Sequence, residues 1–223
     1  MPLRLLLAIV MFAPASIYAQ AVHPLTGRHI APVMGYAGAD WLERSSRERE
    51  EQPDEALDLI GIQKGMVVAD VGAGTGFISL KIAERVGPTG KVYANDIQPE
   101  MLDRLRQNAK RANVTNVETV LGSETDPKLP AGKIDLIIMV DVYHEFARPQ
   151  EMLDNMRAAL KPDGRLVFLE YKKEDPSIPI RPEHKMSTSE VKIEVEAEGY
   201  KLDKVIDTLP RQHIIFFRKA PVQ

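Results

Sequence analysis

The stretch VVADVGAGTGFISL, Val67 to Leu80, constrains the fold more than any other part of the chain. An apolar, β-branched run reads as a strand. It ends in Asp70 and breaks into Gly72, Gly74 and Gly76, a turn that lets backbone approach a ligand or a neighbouring element closely. The residues that follow, FISLKIAERV, carry Ile78, Ile82 and Val86 on one helical face. A strand that feeds a helix through a tight loop opens a crossover to a parallel neighbour, so the chain is committed to a sheet covered by helices.

The remainder keeps that rhythm. PDEALDLIGI begins with proline and two acids, suited to a first helical turn. KVYAND, VETVL, IDLIIMVD and RLVFLEY read as strands. PEMLDRLRQNAKRAN and PQEMLDNMRAALKPDG read as helices, the second stopped by Pro162 and Gly164. SEVKIEVEAEG alternates like a strand, yet Ser187 and Glu190 form a capping box and Gly199 stands past a helix end, so it is expected to be the next crossover helix. YKLDKVIDTLP and QHIIFFRK are joined too tightly to be parallel and are expected to pair antiparallel. The expected fold class is α/β: a Rossmann-like, doubly wound, mostly parallel seven-stranded sheet with a C-terminal antiparallel strand.

Three regions are expected. Residues 1–21 hold one early cation, Arg4, an apolar run from Leu5 to Phe12 and the small-x-small end Ala19-Gln20-Ala21, the layout of a secretory signal peptide. The run is well short of the roughly 20 apolar residues of a spanning helix, so no stable membrane insertion is expected after cleavage. The protein is then expected to be periplasmic or secreted, or cytoplasmic if the leader is misread. Residues 22–52 are irregular, hold the single tryptophan, Trp41, and read as an arm packed on the domain, with a solvated charged run from Arg44 to Glu51. Residues 53–223 form the ligand-binding domain. The chain has no cysteine, a net charge of −3 and no long block of like charge, so a small-molecule partner is expected and nucleic acid is not. The oligomeric state is not legible.

The loop itself narrows the ligand. A mononucleotide loop needs Lys and Ser or Thr after its last glycine; here Phe77 and Ile78 follow Gly76. A dinucleotide loop spaces its third glycine one residue further on. A carboxylate at Asp70 would repel a pyrophosphate and favour an ammonium or sulfonium, while the loop N–H groups would receive a carboxylate. Asp96, twenty residues past Gly76 at the end of the second strand, can accept the hydroxyls of a ribose. A cationic amino acid joined to a nucleoside describes S-adenosylmethionine.

ADVGAGTG with Asp96 resembles the first two motifs of class I S-adenosylmethionine-dependent methyltransferases. With DIQPEML, MVDVYHEF and EYKKEDPSIPI, the chain resembles an exported bacterial branch of the methyltransferase type 11 group. The resemblance implies a cofactor site of Asp70, Gly72, Ala73, Gly74 and Gly76 at the methionine end. Asp96 and Ile97 would meet ribose and adenine, Ser123 and Glu124 the adenine edge, and Asp141 the methyl donor.

Polar residues at the ends of the fourth and fifth strands face the ligand edge of such a sheet. Tyr143, His144 and Asp141 are the catalytic candidates, with His144 able to take a proton near neutral pH. Glu145 could orient it or face water. The candidate acceptor contacts are Tyr36, Trp41, Tyr143, His144, Glu170, Tyr171 and His184, the last in a proline-rich loop long enough to cover a site. The five histidines show no paired helical spacing, so no metal site is expected. The leading reading is in-line methyl transfer to a small molecule. A nicotinamide-dependent oxidoreductase and a non-catalytic binder of the same cofactor stay open.

Overall fold

The computed structural model describes residues 21–221. All of the expected leader except Ala21 lies outside them. Three short helices come first: α1 (Ala39–Leu42), α2 (Arg47–Glu51) and α3 (Pro53–Ile60). The alternating core follows as β1 (Val67–Val71), α4 (Phe77–Val86), β2 (Lys91–Asp96), α5 (Pro99–Arg111), β3 (Val117–Leu121), β4 (Ile134–Val140), α6 (Pro149–Ala159) and β5 (Leu160–Tyr171). The chain closes with α7 (Thr188–Ala197), β6 (Tyr200–Ile206) and β7 (Gln212–Lys219). The sheet order is β3-β2-β1-β4-β5-β7-β6. β1 to β5 are parallel, and β7 runs antiparallel to both β5 and β6. This is the expected fold class. The strand order reverses between β1 and β4, which opens a crevice at their carboxyl ends.

β4 explains why the middle of the sheet is apolar throughout. Ile137 and Met139 pack with Ala69, Phe168 and the α6 residues Met152 and Met156 on one face. Leu136 and Ile138 pack with Val68, Ile82 and the α3 residue Leu57 on the other. Alternate side chains of one strand therefore feed two separate cores.

Two local expectations meet different outcomes. α7 is a helix, with the Ser187–Glu190 capping box formed in both directions. Val191 and Val195 are buried while Ile193 is exposed, so the i, i+4 pair outweighs the strand-like alternation. α6, expected to run to Pro162, ends at Ala159, because Leu160 is buried as the first residue of β5 opposite Ile134. The pairing then shifts between Ile134 and Leu136. A Cβ at Gly164 would lie 3.0 Å from the Ile134 carbonyl oxygen, so glycine permits that close approach.

The arm preceding α3 is fixed by buried charge. Arg28 donates from Nε and Nη2 to the Glu194 carboxylate of α7 at 2.8 and 3.0 Å, and from Nη1 to the His144 carbonyl at 3.1 Å. The Ala31 N–H donates to the same carbonyl at 3.0 Å. Further along, Arg104 of α5 binds Glu43 and Asp40. The run from Arg44 to Glu51 is not the solvated face expected of it. Arg47 and Glu51 are buried and paired at 2.7 Å one helical turn apart.

Gly76 closes the loop after β1. Its φ is +87°, and a Cβ there would meet Leu105 Cγ of α5 at 2.5 Å. Gly76→Ala combines a left-handed backbone with overpacking. It is expected to destabilise the fold by about 2–4 kcal/mol, read as a lower urea midpoint at unchanged slope.

Candidate active site

A cavity of about 630 Å³ opens at the carboxyl ends of β1, β2, β4 and β5. Gly72, Gly74, Asp96, Ile97, Ser123, Glu124, Asp141, His144, Tyr171, His184 and Trp41 all line it, as expected. The cavity is closed on the arm side by Pro32, Val33, Met34 and Leu42.

The glycine loop is held by β2. The N–H groups of Gly72 and Ala73 both donate to the Asn95 carbonyl, at 2.9 and 2.8 Å. The Gly74 N–H donates to Asp96 Oδ2 at 2.9 Å, and the Gln98 N–H to Asp96 Oδ1 at 2.9 Å. These loop N–H groups are therefore already satisfied and are not the carboxylate receptor expected of them. An ionised carboxylate offers about four acceptor sites, so Asp96, fixed by two of them, can still receive hydroxyls from the cavity. Burial raises its pKa, and the N–H groups of Gln98 and Gly74 oppose that rise.

Asp141 is the cavity residue whose surroundings best suit a cation. It follows β4 with φ +51°, a conformation rare for a residue with a side chain. Its Oδ2 accepts from Gln212 Nε2 at 2.7 Å, while its Oδ1 is buried without a partner. Burial foremost, then Glu51 and Glu170, holds its carboxyl well above the ordinary carboxylate range. Arg47 lines the cavity as well. An orphaned carboxylate oxygen and a guanidinium in one cavity complement an amino-acid zwitterion, and Asp96 complements a ribose. The residues present therefore fit S-adenosylmethionine.

At the other end, Glu170 organises a chain of rings. Its Oε1 accepts the Tyr143 backbone N–H at 2.9 Å, and its Oε2 lies 2.6 Å from His144 Nδ1. With Glu170 as the acceptor, the His144 proton sits on Nδ1 and the Nε2 lone pair faces His184 Nδ1 at 3.1 Å. His184 Nε2 lies 3.4 Å from Arg181 Nη2. Burial above all, with the nearby Arg181 charge, lowers the His184 pKa. Glu145 also lines the cavity; burial above all raises its pKa to about 7, and its Oε1 accepts the Met34 N–H at 3.2 Å.

Several expectations are corrected. Asp70 does not reach the cavity: it is 2 % exposed and accepts the Ser79 hydroxyl of α4 at 2.6 Å, and burial raises its pKa to about 6. It joins strand to helix, whereas Asp141 is the acid that offers the cavity an unpartnered carboxylate oxygen. Ala73 and Gly76 also lie off the cavity, Gly76 because it packs on α5. Tyr143 is fully buried. Its ring packs edge-on against Phe146 and Phe168, because the 3-10 turn Tyr143–Glu145 sends it to the core and its two successors to the cavity. Burial pushes its phenol well above the usual range, which removes it as a proton acceptor. Tyr36 is exposed outside the cavity, and Glu170 acts through His144 instead of lining the wall. Sequence reasoning missed Arg47, Gln98, Arg181 and Gln212. Only the i, i+4 spacing of Arg47 and Glu51 carried a signal.

Loss of the Asp141 charge tests this geometry. A cation beside Oδ1 favours the ionised carboxylate, so cofactor binding releases a proton and weakens as pH falls. Asp141→Asn is expected to weaken S-adenosylmethionine binding roughly tenfold or more and to abolish that proton release. Calorimetry in buffers of different ionisation enthalpy reads both, and unchanged affinity would exclude the contact.

Comparison with known proteins agrees with this cofactor. Residues 62–208 match the family model described as a methyltransferase domain. The ubiquinone/menaquinone biosynthesis C-methyltransferase UbiE of Escherichia fergusonii is 33% identical over 118 residues, 52% of this chain and 47% of that protein. The chain thus spans about half the length of the curated relatives it matches. A crystal structure of an S-adenosylmethionine-dependent methyltransferase from Aquifex aeolicus superposes with a TM-score of 0.79 at 29% identity, covering 83% of this chain and 98% of that one. The PH0226 protein from Pyrococcus horikoshii shares the fold, with a TM-score of 0.64 at 17% identity over 79% of this chain and 92% of its own. The matched segment contains every strand from β1 to β6 and the loops that build the cavity between them, and the chain belongs to the class I S-adenosylmethionine-dependent methyltransferases.

Proposed function

We propose that the protein methylates a small, largely apolar aromatic acceptor that bears an ionisable hydroxyl. The observation that carries this reading is the Glu170–His144–His184 chain at the edge of a cavity walled by Met34, Trp41, Phe146, Met152 and Ile180. Apolar walls suit a ring, and a fixed proton-accepting chain suits a hydroxyl that must lose its proton. UbiE relatives carry the name of C-methyltransferases of quinone biosynthesis, which supports an acceptor of this class.

In this reading the bound cofactor supplies an electrophilic methyl group on a sulfonium. Asp96 orients its ribose, while Asp141 and Arg47 hold its amino-acid end. The protein's task is alignment, which can contribute roughly 7–11 kcal/mol, together with proton removal. Arg181 moves aside from His184 Nε2, which takes the hydroxyl proton. The Nδ1 proton of His184 passes to His144 Nε2, and the resulting imidazolium rests against the buried Glu170 carboxylate. The acceptor is then a phenolate, nucleophilic at oxygen and at the ring carbons beside it.

His144→Asn and His184→Ala are expected to lower kcat on a panel of phenols and hydroquinones about 10²-fold or more. Binding of S-adenosylhomocysteine should stay within about threefold of the parent protein, since the chain bears on the acceptor and not on the cofactor. Turnover that survives both substitutions, or a panel in which only amines and thiols are methylated, would overturn the reading.

A further inference from the structure

We propose that His144, Glu145 and His184 bind one divalent transition-metal cation on the cavity wall. His144 Nε2 and His184 Nδ1 are 3.1 Å apart, and Glu145 Oε1 lies 3.9 Å from the first and 3.7 Å from the second. A point equidistant from three atoms so spaced is about 2.1 Å from each, the bond length of zinc to imidazole nitrogen and carboxylate oxygen. The three donors come from two segments, the turn after β4 and the loop between β5 and α7, so they converge through the fold and not through sequence spacing.

Three further features suit a cation. The His144 ring is held by Glu170 at its other nitrogen, the carboxylate–histidine arrangement that orients a metal ligand. The two imidazole nitrogens facing each other share one proton, and a cation would take its place. Glu145 is a largely buried carboxylate with no Lys or Arg partner among the described residues; beyond the two histidines its polar contact is the Met34 N–H. His213 offers a contrast: Asp207 and Glu174 bind opposite nitrogens of its ring, so those groups cannot converge on one ion.

Two nitrogens and one carboxylate oxygen favour zinc, cobalt, nickel or iron over magnesium and calcium, which take oxygen ligands. Three protein ligands leave a coordination position for a further group, as in catalytic sites and unlike closed structural ones. That position faces the cavity, where it can hold an acceptor's ionised oxygen. Cation and proton chain use the same atoms and are therefore alternatives. Contact with an acceptor rests on the methyl-transfer reading above, whereas binding of the cation does not.

The test uses the full chain without a histidine tag, stripped with chelator and titrated with Co²⁺ and then Zn²⁺ in the absence of cofactor. One equivalent of Co²⁺ is expected to bind with the visible absorption of a low-coordinate site, to be displaced by Zn²⁺ and to be unaffected by excess Mg²⁺ or Ca²⁺. His184→Ala and Glu145→Gln should each weaken binding about tenfold or more, while His29→Ala, on the exposed arm, should not change it. Thermal unfolding of each variant separates loss of ligands from loss of fold. No saturable uptake, displacement by Mg²⁺, or uptake that His184→Ala and Glu145→Gln leave intact would overturn the site. Titration of the same samples with S-adenosylhomocysteine separates the two claims: cofactor binding without metal removes only the cation, metal binding without cofactor removes the methyl-transfer reading, and binding of both keeps methyl transfer but replaces the His184 proton chain by the cation.

Discussion

The cavity depends on how β2 takes up the loop that follows β1. Three consecutive N–H groups, of Gly72, Ala73 and Gly74, are drawn onto the Asn95 carbonyl and the Asp96 carboxylate. The loop is thereby locked across the end of the neighbouring strand, and α4 starts where Gly76 can sit against α5. Because the lock uses the side chain of Asp96, the residue that would hold a ribose is oriented before any ligand arrives. With a Cβ at Gly72, which would lie 2.4 Å from Val142 Cγ2, β1 and the turn after β4 could not come so close.

The opposite end is organised by a second buried acid. Glu170, next to last in β5, binds both the ring of His144 and the backbone of Tyr143, so it joins the end of one strand to the turn after its neighbour. The arm adds a clamp to that turn from outside, since the His144 carbonyl accepts from Arg28 and from Ala31. His144 is thus gripped at its ring by the sheet and at its backbone by the arm. Breaking a buried ion pair such as Arg28–Glu194 typically costs about 3–5 kcal/mol, so the arm is fastened by a bond that does not loosen gradually.

The sheet was legible because period and punctuation agreed along most of the chain. The cofactor was inferred from glycine spacing, the charge of Asp70 and the position of Asp96; of the two acids only Asp96 lines the cavity, where Asp141, at the end of the fourth strand, joins it. The failures concern side-chain direction at turns, which periodicity does not encode. Tyr143 and His144 are adjacent and both polar-tipped, yet one faces the core and the other the cavity. Asp70 occupies the motif position, but its carboxylate turns to Ser79 on its own following helix. The meeting of His144 with His184 spans forty positions and passes through a proline-rich loop, so no spacing rule could have found it.

The arm has a consequence for inferring specificity by kinship. The matched family segment begins at residue 62, after Pro32, Val33, Met34, Trp41 and Leu42 have already contributed one wall of the cavity. Two homologues could therefore agree throughout the shared segment, handle the same donor, and still choose unrelated acceptors because their leading thirty or so residues diverge. Swapping that stretch between relatives, with the common core left untouched, is the economical route to redirecting such an enzyme.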